Sequence, residues 1–202
     1  MQTSIARPEK LILVDCDDVL LDWLSGFRDF CSHALGRKIE GFPGEWKMHS
    51  WLEIEPDDVK RLILEFNDGA PEFGALPPTN NAENVIPALA ADGWRFLVVT
   101  SCSASRKVVE LRRRNLAAVF GDVFEDVVCL DLGTPKTDVL STLPPSWWVE
   151  DNYRNACDGA SVGHRPVMLR KKHNADFEAD DRLCVWTDDW TDAIASMGLV
   201  GT

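Results

Sequence analysis

The sequence lacks several signatures whose absence narrows the reading. It has no apolar run approaching a membrane span, and no positively charged leader followed by an apolar stretch opens it, so a cytoplasmic protein with no membrane partner is expected. It has no Cys-x-x-Cys pair. Its six cysteines (Cys16, Cys31, Cys102, Cys129, Cys157 and Cys184) are dispersed, which gives neither a zinc site nor a disulfide framework. They read as small reduced hydrophobes, although Cys16 and Cys102 fall beside the candidate site residues below. The four histidines have no metal-ligand spacing and read as surface or core residues. Basic residues are in deficit, 21 Lys and Arg against 33 Asp and Glu, a formal charge of −12. That balance argues against general nucleic-acid binding. It leaves a small anionic substrate open, because a bound cation and a few local bases can reverse the field inside a pocket. There are no internal repeats or low-complexity tracts.

What remains is an ordinary globular composition, and 202 residues suit one core domain with an insertion. Apolar strands alternate with helical patterns: strands at 11–14, 95–100, 126–130 and 147–150, with further strands at 166–170 and 183–186. Helices are expected at about 104–118, after Pro135, and near 189–197, where Trp190, Ile194 and Met197 fall at helical spacing. This is the pattern of an α/β doubly wound parallel sheet. Between the first two strands the pattern changes. Phe27, Phe30, Cys31 and Ala34 share one helical face. Glu55-Pro56-Asp57-Asp58 opens a second helix with a stripe of Val59, Leu62, Ile63 and Phe66, and a helix at 80–92 follows. That stretch of roughly seventy residues is too long for a bare connection and reads as a small helical domain.

The run Leu11-Ile12-Leu13-Val14 delivers Asp15 and Asp17 to the expected end of a buried strand. In parallel sheets, ligands bind beyond the carboxyl ends of the strands. Two carboxylates there are costly to bury unless a cation or strong donors meet them. They suit a nucleophile beside a general acid/base around a hard metal ion; a turn or helix-cap cluster is the alternative. Three later segments bear on the choice. The strand at 95–100 ends in Thr100-Ser101, Gly133-Thr134-Pro135-Lys136-Thr137 brings a lone lysine to a helix start, and Trp147-Trp148-Val149 ends in Glu150-Asp151, with Asn155 beyond.

The order Asp-x-Asp, Thr/Ser, Lys, Glu-Asp-x-x-x-Asn resembles the four-motif signature of the haloacid dehalogenase (HAD) superfamily. The resemblance implies a HAD-like (Rossmann-like) catalytic core over 1–20 and 93–202. It also implies a small helical C1 cap and return helix over 21–92, closing over the site. It implies Asp15 as the nucleophile that forms an aspartyl-phosphate and Asp17 as general acid/base. Thr100 would hold a phosphoryl oxygen, and Lys136 would neutralise charge on the nucleophile and the transferring group. Mg2+ would be held by Asp15, the backbone carbonyl of Asp17, and Asp151, with Glu150 and Asn155 orienting its waters. Where the superfamily often has Gly or Thr after the second Asp, this chain has Asp18, which either adds a carboxylate at the metal or caps the next helix.

A narrower resemblance, to the 5′(3′)-deoxyribonucleotidase-like branch, rests on Asp15 to Trp23 (Asp-x-Asp-x-Val-Leu-x-Asp-aromatic), a Trp-rich cap, Phe73-Gly74-Ala75-Leu76-Pro77-Pro78, and Thr100-Ser101. It implies a substrate-binding role for Trp23, Phe73 and Ser101, the aromatics enclosing a nucleobase, with Trp46 or Trp51 as weaker matches. Packing in the core is the other use for those rings. The expected function is a Mg2+-dependent phosphomonoesterase for a small phosphorylated substrate, favouring a nucleoside 5′-monophosphate. A sugar phosphate or nucleic-acid 3′-phosphate is the alternative within that class, and a non-catalytic HAD-like binding protein the alternative outside it. Dehalogenation is disfavoured, since it has no leaving group that needs Asp17. Arg112-Arg113-Arg114 reads as the solvated face of a helix. The loop Arg170-Lys171-Lys172-His173-Asn174 either reaches the substrate or stays solvated.

Overall fold

The computed structural model describes residues 10–44, 47–178 and 181–199. Six parallel strands form one sheet in the order β3-β2-β1-β4-β5-β6, with β1 (Leu11–Val14), β2 (Arg95–Ser101), β3 (Phe124–Leu130), β4 (Trp147–Glu150), β5 (Arg165–Leu169) and β6 (Val185–Thr187). The first strand lies centrally, hydrogen-bonded to β2 on one side and β4 on the other. All four of its residues are buried, as a strand covered on both faces requires. Its side chains alternate: Ile12 and Val14 join the larger core, while Leu11 and Leu13 pack with Val99, Leu140 and Trp148 on the opposite face.

The helices are α1 (Trp23–Ala34), α2 (Met48–Leu52), α3 (Pro56–Gly69), α4 (Ala82–Ala91), α5 (Arg106–Phe120), α6 (Thr137–Leu140), α7 (Tyr153–Ser161), α8 (Ala175–Glu178) and α9 (Trp190–Ser196). Asp22 caps α1 by accepting from Ser25 N, and Pro56 starts α3, where its missing N–H costs nothing. Helix α3 packs on α1, where Phe66 meets Trp23 and Phe27, and also on α2 and α5. Helix α4 lies against α5 and α9. Helices α2, α7 and α8 were not anticipated from the sequence. Two are too short to display periodicity, and α7 has a mixed face whose buried members are Ala156 and Gly159. Among the described residues, no helix is long and apolar enough to cross a membrane.

Candidate active site

The carboxyl ends of β1, β2 and β4 converge on a cavity of about 960 Å³. Asp15 continues β1, its N–H donating to Val149 O at 2.9 Å, so the first acid is fixed by the sheet itself. Beyond it the chain turns tightly: Leu20 N and Leu21 N both donate to Cys16 O, and Asp18 takes a positive φ of 58°. Asp is among the few residues that tolerate that region. The turn is pinned from outside, where Asn80 Nδ2 donates to Asp18 O at 2.8 Å and Trp190 Nε1 to Val19 O at 3.0 Å. Asp15, Asp17 and Asp18 all line the cavity.

Lys136 reaches this point from the cap position of α6. It is buried, with Nζ 2.8 Å from Asp15 Oδ1 and 2.7 Å from Glu150 Oε1. Trp148 backs it, its ring 5.1 Å from Nζ. That tryptophan fits because α7 carries Gly159 over it: a Cβ there would lie 2.4 Å from Trp148 Cδ1. Thr100 is buried at the end of β2 and lines the cavity. Ser101 lines it too, its Oγ donating to Thr134 O at 3.3 Å and so tying β2 to the loop that carries Lys136.

The fourth segment divides its acids. Glu150 is buried and both its oxygens are engaged, Oε1 by Lys136 and Oε2 by the N–H groups of Asp151 (3.0 Å) and Asn152 (2.9 Å). Asp151 lines the cavity, and its Oδ2 lies 2.8 Å from His173 Nε2. One oxygen each from Asp15, Glu150 and Asp151 falls within 4.8 Å of the others, a spacing that suits a hard cation. Since Glu150 is consumed by Lys136 and backbone donors, Asp15 and Asp151 are the acids with an oxygen to offer. Asp15 Oδ1 and Asp151 Oδ2 are both buried, each facing one cationic or imidazole nitrogen at 2.8 Å, and two buried carboxylates this close together suit a hard cation between them. Asn155, on the first turn of α7, lines the cavity as well.

Charge crowding sets the electrostatics. Burial pushes the Asp17 carboxyl up to about 6, with Arg112 opposing and Asp15 adding. Burial pushes Glu150 to about 8 against the pull of Lys136. Burial would strip Lys136 of its proton, but Asp15 and Glu150 outweigh it and hold the ammonium above the ordinary lysine range. Asp18 is raised well above the carboxylate range by burial and by Asp151. Its Oδ1 accepts from Leu24 N at 3.0 Å, so it supports the start of α1 from inside the fold rather than from solvent.

Three expectations need correction. Phe73 does not line the cavity: it is fully buried, edge-on to Phe66 at 5.8 Å and beneath the Arg112 guanidinium at 4.1 Å. Of the two uses weighed for this ring, its surroundings match packing. Arg112 is not solvated. It is fully buried on α5 and pairs with Asp17 Oδ1 at 2.5 Å, whereas Arg113 pairs at the surface with Asp126. Three consecutive arginines conceal which of them the helix turns inward. His173 is buried rather than at the surface, and beyond a core role the loop after β5 brings it to Asp151. Asn174 beside it donates to Asp151 O and Leu169 O, both at 2.8 Å. Of the four histidines, His164 is buried between Ser146 N and Leu140 O and serves the core.

Trp23 does line the cavity, with little exposed surface. Its Nε1 donates to Asn67 Oδ1 at 2.9 Å and one ring face stacks on Phe27 at 4.7 Å. Trp51 is half-buried and donates to Glu40 O; Trp46 lies outside the described residues.

No family model and no curated protein matches the chain. Its fold is the HAD-like α/β fold, shared with solved structures described as HAD-family hydrolases and as a phosphatase. A haloacid dehalogenase-like family hydrolase from Streptococcus pneumoniae aligns over 94% of this chain and 98% of its own, with a TM-score of 0.63 and 10% identity. A HAD family hydrolase from Deinococcus radiodurans R1, with bound phosphate and sodium, aligns over 95% and 97%, with a TM-score of 0.61 and 18% identity. D,D-heptose 1.7-bisphosphate phosphatase from B. bronchiseptica, complexed with magnesium and phosphate, aligns over 95% and 99%, with a TM-score of 0.56 and 11% identity.

Proposed function

We propose that the protein is a Mg2+-dependent phosphomonoester hydrolase that works through an aspartyl-phosphate on Asp15. The observation that carries this reading is the meeting of four separated segments at one point: Lys136 Nζ sits 2.8 Å from Asp15 Oδ1, beside Asp17, Thr100 and Asp151. A lysine clamped on a strand-end carboxylate suits a nucleophile whose negative charge must be balanced while it attacks an anionic ester. Thr100 holds a phosphoryl oxygen. Asp17 gives a proton to the departing oxygen and later takes one from the resolving water. Asp15, the backbone carbonyl of Asp17, and Asp151 would hold Mg2+, which when bound supplies positive charge for the phosphoryl oxygens. The helical stretch within 21–92 acts as the cap that excludes water and reads the substrate.

Within that class we favour a nucleoside 5′-monophosphate. The support is the apolar and aromatic part of the cavity lining, Trp23, Val59, Ile63, Tyr153 and Phe177. The exclusion of Phe73 and the stacking of Trp23 on Phe27 favour a second reading, a sugar phosphate held by the polar rim of His49, Lys60 and Arg154. Phosphate release from a panel of nucleotides, sugar phosphates and a nucleic-acid 3′-phosphate, with and without Mg2+, separates these substrates. Absence of Mg2+-dependent turnover of nitrophenyl phosphate would turn the reading to a non-catalytic binding protein. Asp15→Asn should abolish turnover with the fold intact, and activity within about tenfold of wild type would remove Asp15 from the mechanism.

A further inference from the structure

We infer that Arg112 is the positioning residue for Asp17, fixing the orientation of its carboxyl by holding Oδ1; this rests on the reading of Asp17 as general acid. Helix α5 exposes Arg113 and Arg114 and turns only Arg112 inward, where it is fully buried. Its one hydrogen bond is to Asp17 Oδ1, and Nε and Nη1 have no hydrogen-bond partner among the described residues. For stability alone this is a poor arrangement, since an apolar side chain would fill the space without stranding two donors. What the arginine does supply is a fixed, one-way hydrogen bond to the acid.

The bond is one-way because a guanidinium has donors and no acceptor. Asp17 Oδ1 therefore accepts, which leaves Oδ2 as the oxygen free of Arg112 to bring a proton to the leaving group. The Asp17 side chain keeps 20% of its surface open, and the residue lines the cavity. As the Asp15 oxygen bonds phosphorus, the ester P–O bond breaks and that proton passes to the departing oxygen. Arg112 touches neither phosphorus nor leaving group.

The guanidinium is itself immobilised. Its plane rests on the Phe73 ring, 4.1 Å from Cζ, and Phe73 is wedged edge-on against Phe66. The turn carrying Phe73 (Pro71–Ala75) is locked to α5 by a reciprocal pair, Asn115 Oδ1 accepting from Leu76 N and Asn115 Nδ2 donating to Leu76 O, both at 2.9 Å. The helical insertion thus reaches the general acid through Phe73 and Arg112.

The test compares a nitrophenyl phosphate, whose leaving group departs without a proton, with an alkyl phosphate such as glycerol phosphate, whose leaving group needs one. Arg112→Met should lower kcat on the alkyl ester about 100-fold and on the nitrophenyl ester less than about tenfold, with KM little changed. Arg112→Lys should recover part of the alkyl-ester loss and keeps the test available should the Met variant not fold. Asp17→Asn is measured beside them. Equal losses on both esters in the Arg112 variants, with Asp17→Asn still leaving-group dependent, would overturn the positioning role alone. Equal losses in Asp17→Asn would overturn the acid assignment as well.

Discussion

Lys136 and Glu150 face each other at 2.7 Å beneath the cavity, both essentially sealed from solvent. Glu150 has no role at the cavity surface that its partners leave open; it holds the lysine against Asp15. Removing one member of a buried pair strands the other's charge. Glu150→Ala should therefore destabilise the protein by about 3–5 kcal/mol in urea unfolding. Glu150→Gln, which keeps an acceptor, should cost less in stability while still lowering kcat at least about tenfold. A Gln variant with wild-type kcat would show that Lys136 needs no help from Glu150.

The crowded acids give the metal-free protein an unusual pH dependence. The folded Asp17 carboxyl is raised from 3.8 to about 6 and Glu150 from 4.5 to about 8, by burial first, with Asp15 adding in each case. Between those values the folded state binds more protons than the unfolded state, so stability falls as pH rises through the window. Thermal melting in a chelator should give a lower midpoint near pH 8 than near pH 5. Added Mg2+ should raise the midpoint more at the higher pH, where more carboxylate is ionised. A midpoint that rises with pH in the chelator would mean that burial does not raise these carboxyls.

Asp151 is the acid chosen here for the metal. Asp151→Ala should raise the Mg2+ concentration for half-maximal rate by at least about tenfold. His173→Gln, which alters the partner at 2.8 Å from Asp151, should shift the same quantity in the same direction by less. Unchanged Mg2+ dependence in Asp151→Ala would return the ligand role to Glu150 or Asp18.

The two aromatics singled out from the sequence should now behave differently. Trp23→Ala should lose roughly 1–3 kcal/mol of nucleotide binding if the ring contacts a base, with nitrophenyl phosphate less affected. Phe73→Ala should discriminate by leaving group instead, following Arg112, because the ring touches the arginine and not the cavity. If Trp23→Ala harms both substrates alike, the ring only packs and the nucleotide preference loses its support.

The sequence by itself determined the parallel sheet and the place of its chemistry. Continuous apolar runs such as Leu11–Val14, alternating with helical patterns, read as strands covered on both faces, and in a parallel sheet a carboxylate or hydroxyl at the end of each emerges at the same edge. Asp15, Thr100 and Asp151 were legible for that reason, and Lys136 through its place in the order of segments. Tertiary structure alone decided which polar residues far apart in the chain would meet them. Arg112 becomes a site residue because α5 presents one of three arginines to Asp17, 95 positions away, and no local pattern encodes that rotation. His173 joins Asp151 because β4 and β5 are adjacent and the loop after β5 folds back over the strand end. The place of Phe73 was also decided by tertiary structure, because an aromatic residue carries the same hydrophobic signal whether it lines a cavity or supports the residue that does.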